Sequence, residues 1–125
     1  MEYVARLTKQ LADKGEKILD FTLGKMQSMQ KELQENYQAK WGGVYPEKGR
    51  SMLLWMIGEA GEVADIIKQN GDHQIMSDSD TRNHFIEEMC DVLMYFNDVM
   101  LCYNITEEEL EQAYVEKHAR NMKRW

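Results

Sequence analysis

The chain has 125 residues, 43% of them hydrophobic, with one proline, eight glycines and ten methionines. That length suits one compact domain, and so few turn-forming residues suit helices better than a β-sandwich. The 22 acidic and 15 basic side chains give a formal charge of −7, which argues against general attraction to nucleic acid or anionic membranes.

The opening "MEYVARLTKQLADKGEK" is charged throughout and lacks the apolar segment of a signal peptide. No later run approaches the roughly 18 apolar residues of a membrane-spanning helix, so the expectation is a cytoplasmic protein without membrane contact. Residues 2–13 suit a short helix stopping at Gly15, making 1–19 an N-terminal extension of a single domain over 1–125. A second helix is expected from Thr22 to about Lys40, with Leu23, Met26, Met29, Leu33 and Tyr37 at near-helical spacing. "WGGVYPEKG", residues 41–49, holds the only proline and three glycines and is the clearest long loop.

A third helix runs from about Gly49 to Asn70, with Gly71 as its C-cap signal and "DHQIMSDSD" as a polar connection. A fourth begins at Asp80 or Thr81 and continues to about Tyr103. Thr106 opens a fifth, with Glu109 three residues on as a capping box, and it runs nearly to Trp125. With no repeat or low-complexity tract, the expected fold is an all-α bundle of four to five helices. Cys90 and Cys102 fall on the fourth helix about 18 Å apart at the helical rise, too far to bridge. They suit small buried hydrophobes in a reducing cytosol.

The third helix carries an anomaly. On a wheel at ~100° per residue, Glu59 falls inside an arc of Trp55, Met56, Val63, Ile66 and Ile67, and Glu62 is its neighbour three residues on. Asp65 continues the row farther from the apolar centre, and Gly58, Ala60 and Gly61 leave room for a close approach. The fourth helix repeats the arrangement: Glu88 and Asp91 are three apart among Val92, Tyr95, Val99 and Cys102, with Asp98 two turns beyond and Glu87 on another face. One such pair is usually a solvated helix face. Two pairs intruding on the apolar faces of separate helices would repel and lose hydration unless they bind protons, cations or metal.

All-oxygen ligation favours a hard cation such as Mg²⁺ or Mn²⁺. A di-iron carboxylate bundle needs Glu-x-x-His on two helices, and no Glu here has a His three residues later. His73, His84 and His118 form no ligand spacing and suit surface or packing positions.

"GEAGEVADIIK" followed by "EEMCDVLMYF" resembles the E-x-x-E … E-x-x-D signature of the MazG-type nucleoside triphosphate pyrophosphohydrolases, over roughly residues 20–125. The resemblance implies an all-α fold and Mg²⁺ ligands at Glu59, Glu62, Glu88 and Asp91, the metal in turn holding substrate phosphates. It puts Tyr95 near the sugar or phosphate. In "EKHARNMKRW" it places Lys117, Asn121 and Arg124, which share one helix face at i, i+4 and i+7, toward the phosphates. Some relatives carry a base-pocket tryptophan where this chain has Gln69, so Trp41 and Tyr45 of the loop are the plausible base-stacking residues.

The implied reaction is Mg²⁺-dependent hydrolysis of a nucleoside triphosphate to nucleoside monophosphate and pyrophosphate, as nucleotide-pool house-cleaning. Glu62 is the expected residue for orienting or deprotonating water, with Lys117 and Arg124 stabilising the departing pyrophosphate. The family's usual assembly is a homodimer, sometimes paired into a homotetramer, here through a Met-rich interface using Met94, Met100 and Leu101. The rival readings are a phosphoribosyl-ATP pyrophosphohydrolase, a dedicated dUTPase or dCTPase, and a silent helical module that binds nucleotide or a protein.

Overall fold

The computed structural model describes residues 21–124 together with Arg6 and Lys9. Apart from those two positions, the short helix expected over 2–13 and the extension 1–19 lie outside the described residues. Helix α1 (Leu23–Asn36) begins where Thr22 accepts a hydrogen bond from the Lys25 backbone N–H at 3.1 Å, closing the first turn as an N-cap should. It ends before the expected Lys40. Tyr37 leaves the helical region at φ −108° and ψ 20°, and a separate short helix α2 (Gln38–Trp41) follows, capped by Gly42. Pro46 then leads a single 3-10 turn (Pro46–Lys48) inside the expected loop, its fixed φ suiting that first position.

Helix α3 (Gly49–Ser77) continues past Asn70, where the sequence suggested an end. Gly71 does leave the helical path, at φ 82° and ψ 162°, a conformation essentially reserved for glycine. The chain resumes helix beyond it because Ile75, 7% exposed, anchors the extra turn in the core. The expected polar connection therefore shrinks to Asp78, whose carboxylate accepts from the Thr81 backbone N–H at 2.9 Å and the Thr81 hydroxyl at 2.7 Å to start α4 (Ser79–Cys102). The Thr106 hydroxyl accepts from the Glu109 N–H at 3.2 Å and opens α5 (Glu107–Arg124). Acids in the first turn of α5 and Lys123 and Arg124 in its last suit the helix dipole. Among the described residues there are five α-helices, one 3-10 turn and no strand: the fold is all-α. No helix among them is long and apolar enough to cross a membrane.

The tight turn at Asp78 folds α3 and α4 into an antiparallel hairpin, and these two helices make the main packing interface. Met52, Ile66, Ile75, Met100 and Cys102 are its buried apolar side chains. Cys102 is thus the small buried hydrophobe expected, whereas Cys90 is exposed. At the start of α3, a Cβ on Gly49 would come within 2.4 Å of the Tyr103 ring, so the helix approaches the end of α4 only because residue 49 has no side chain.

Helix α1 lies against α4 by a polar face rather than the apolar stripe expected. Met29 and Tyr37 are exposed, while Gln30 and Gln34 are only 6% and 4% exposed. The buried face is stabilised by hydrogen bonds: both glutamine Nε2 groups donate to Asp98 Oδ1 at 2.9 Å, and Gln27 Nε2 donates to the Ile105 carbonyl at 2.8 Å. A buried polar group so paired avoids most of its desolvation cost. Burial still holds the Asp98 carboxyl above its usual range, against the lowering effect of the two glutamines and the Lys48 charge. Helix α5 touches α1, and its residues 111–124 are all exposed.

Candidate metal and nucleotide site

The hairpin brings the anomalous acids together. Glu59 on α3 meets Glu88 and Asp91 on α4, with one carboxylate oxygen from each lying within 4.8 Å of the others. All three are half-buried. Glu62, one turn beyond Glu59, is exposed and stands outside this group of three, but it lines the same cavity. Burial lifts the Glu59 carboxyl above its ordinary value, and the charges of Glu62, Asp91 and Glu88 push the same way. Asp91 is lifted by burial, then by Glu87 and Glu62. Glu87 itself is exposed, as its off-face position requires.

Glu88 supplies the sharper observation. Its Oε1 lies 3.3 Å from His84 Nε2, a neighbour one turn back, while its Oε2 is buried without a hydrogen-bond partner. A buried acceptor left unpaired is costly, and acids that raise one another's pKa are relieved by a cation. The three carboxylates therefore fit a divalent metal ion, and an all-oxygen donor set suits a hard one.

These acids open onto a cavity of about 760 Å³, within the range of small-molecule sites. Glu59, Glu62 and Asp91 line one part of it, and Tyr95 stands one turn past Asp91. The Tyr95 ring is tilted against Trp55 with centroids 6.0 Å apart. Burial raises the Tyr95 hydroxyl, helped by the charges of Glu59, Asp98 and Asp91, so it is a neutral hydrogen-bonding group at ordinary pH. Trp41 stacks on Tyr37 at 4.7 Å and also lines the cavity. Farther along lie Gln30, Gln34 and Asp98 from the α1–α4 contact.

Of the residues singled out in the sequence, Glu59, Glu62, Asp91, Tyr95 and Trp41 line this cavity, while Glu88 groups with Glu59 and Asp91 without lining it. Tyr45 and Gln69 are exposed and form no part of its wall. Lys117, Asn121 and Arg124 do not line it: they sit on the exposed stretch of α5. The cations that do line the cavity are Lys40 and Lys48, which sequence reasoning missed. Lys48 Nζ donates to the carbonyls of Trp41 and Gly43 and so ties the loop together. The available signal was their place at either side of a glycine-rich loop ahead of the acidic helix. Trp55, taken from the wheel as core, is half-exposed and forms cavity wall instead.

The family model of the MazG nucleotide pyrophosphohydrolase domain matches residues 47–124, from the 3-10 turn through the acidic hairpin to the end of α5. The chain belongs to this family. No curated protein and no solved structure is significantly similar to it. The MazG match begins later than the resemblance over 20–125, and it leaves α1, Lys40 and Trp41 outside.

Proposed function

We propose that this MazG-domain protein hydrolyses nucleoside or deoxynucleoside triphosphates between the α- and β-phosphates, giving nucleoside monophosphate and pyrophosphate. The observation that carries the reading is the Glu59–Glu88–Asp91 group, with its buried, unpartnered Glu88 oxygen, beside a nucleotide-sized cavity. Those three acids, with Glu62 as the fourth, hold Mg²⁺, for which Mn²⁺ can substitute. When bound, the metal supplies charge neutralisation at the phosphates and a more acidic water.

The chain's own residues do the rest. Glu62, on the cavity wall yet outside the tight group, orients the attacking water or takes its proton. Tyr95 meets the sugar or α-phosphate, and Trp41 offers a stacking face to the base. Lys117 and Arg124 stabilise the departing pyrophosphate and Asn121 hydrogen-bonds a phosphate or the sugar. They do so from a second subunit, since none of the three lines the cavity of its own chain. The role that fits is cytoplasmic removal of unwanted nucleotides.

A homodimer or homotetramer is supported by the apolar side chains left exposed on α3 and α4, among them Leu54, Ile57, Met89, Leu93 and Met94. Met100, expected at such an interface, is 2% exposed and belongs to the core, and Leu101 is half-buried. Light scattering should give a multiple of the chain mass, and a strict monomer at micromolar concentration would remove the shared-site reading. The activity itself is tested by pyrophosphate release over a panel of nucleoside triphosphates. Release that needs Mg²⁺ and stops with EDTA is expected. Silence across the panel would instead favour a binding module.

A further inference from the structure

The polar end of the cavity is not used by the phosphate chemistry, and it holds an unusual atom. Gln34 is 4% exposed, its Nε2 donates to Asp98 Oδ1 at 2.9 Å, and its Oε1 is buried with no partner. The carboxylate fixes the orientation, since a flipped amide would set oxygen against oxygen. Gln30 Nε2 donates to the same Asp98 oxygen. Both amide nitrogens are therefore engaged, and the polar atom left over is an acceptor. Buried acceptors without partners are uncommon in native structures and call for an explanation.

We propose that Gln34 is a specificity-determining residue that accepts an N–H from the amine at position 4 of cytosine or position 6 of adenine. The cavity then favours these two bases over uracil, thymine and guanine, which carry an oxygen at that position. The inference rests on the nucleotide reading above and adds the base to it. Asp98 lies two turns beyond Asp91 on α4, about 10 Å along the axis at the helical rise, the length class of a nucleoside from its 5′-phosphate to the far side of its base. An α-phosphate at the acids would put the sugar near Tyr95 and the base beside Gln34 and Trp41, all of which line the cavity. The terminal torsion of a glutamine is soft, so a small turn presents its oxygen to the base. Cytosine and adenine carry an amine donor where uracil and thymine carry an oxygen acceptor, and that oxygen would face the Gln34 acceptor unpaired. Gln30, Gln34 and Trp41 precede residue 47, so the MazG match does not account for them.

The test is binding of dCMP, dAMP, dUMP and dTMP, followed through the fluorescence of Trp41 and Trp55, which needs no turnover. Wild type should bind dCMP and dAMP at least about tenfold more tightly than dUMP and dTMP. Gln34→Met, which keeps the length and loses the acceptor, should bring the four within about threefold by weakening dCMP and dAMP, with its melting temperature taken alongside. Equal or reversed ranking in wild type overturns the proposal without any variant, and so does a folded Gln34→Met that keeps the preference; both leave the nucleotide reading standing. Failure of all four to bind wild type overturns both.

Discussion

Glu59→Gln and Asp91→Asn should each lower pyrophosphate release by roughly two to three orders of magnitude, the loss typical of removing one fixed charge from a phosphoryl-transfer site. Each change preserves side-chain shape and removes one negative charge from the group whose oxygens lie within 4.8 Å. Glu88→Gln should be as damaging, because it also disturbs the His84 contact at 3.3 Å and the buried Oε2. Glu62→Gln should fall in the same range if it serves the water. Helicity by circular dichroism should be unchanged in all four, since none of these acids caps a helix and each amide keeps the shape of the side chain it replaces. The control is Glu87→Gln. Its exposed carboxylate adjoins Asp91 only through its charge, and activity should change little. Equal loss in Glu87→Gln and Glu88→Gln would mean that the reactive face of α4 has been misplaced.

The second large effect is on stability. Burial and mutual repulsion raise the carboxyls of Glu59 and Asp91 in the folded protein above their ordinary values of 4.5 and 3.8. The folded state then binds more protons than the unfolded state, so metal-free stability falls as pH rises from about 4 through the raised folded values. EDTA-treated protein should accordingly melt lower at neutral pH than near pH 5. On the proposed reading Mg²⁺ binds the assembled site and the unfolded chain poorly, so at 100 times its dissociation constant it should add about 2.7 kcal/mol. For a domain of this size that is a rise of several degrees in Tm. The double variant Glu59→Gln with Glu88→Gln should be more stable without metal and should lose the Mg²⁺ response. Melting curves at constant ionic strength decide it. Equal Mg²⁺ shifts in wild type and double variant would reduce the cation to general screening.

The acidic hairpin was legible because each half obeys a local rule. Three-residue spacing puts two carboxylates on one face, and their intrusion on an apolar arc is visible without coordinates. The caps were legible for the same reason, and Thr22 and Thr106 both hold their helices as expected. What failed depends on distant partners. The glutamines of α1 are buried because of Asp98, 64 and 68 residues away in the chain, and no window of α1 contains that information. Gly71 resembled a helix end, but Ile75 beyond it packs into the core and turns the end into a kink. Lys117, Asn121 and Arg124 do share a helix face, yet none of them lines the cavity, because where a helix face ends up depends on tertiary packing, which periodicity does not encode. Lys40 and Lys48 became part of the cavity through the fold of the loop around them.

The most direct measurement is the identity of the products when the protein and Mg²⁺ are given a deoxynucleoside triphosphate, resolved by anion-exchange chromatography. On the proposed reading, metal held by the Glu59–Glu88–Asp91 group, with the base reaching the Gln34 end of the cavity, puts the α-phosphate at the acids. The expected products are deoxynucleoside monophosphate and pyrophosphate in equal amounts. Deoxynucleoside diphosphate with orthophosphate would place the attack at the γ-phosphate and contradict the assignment of this site.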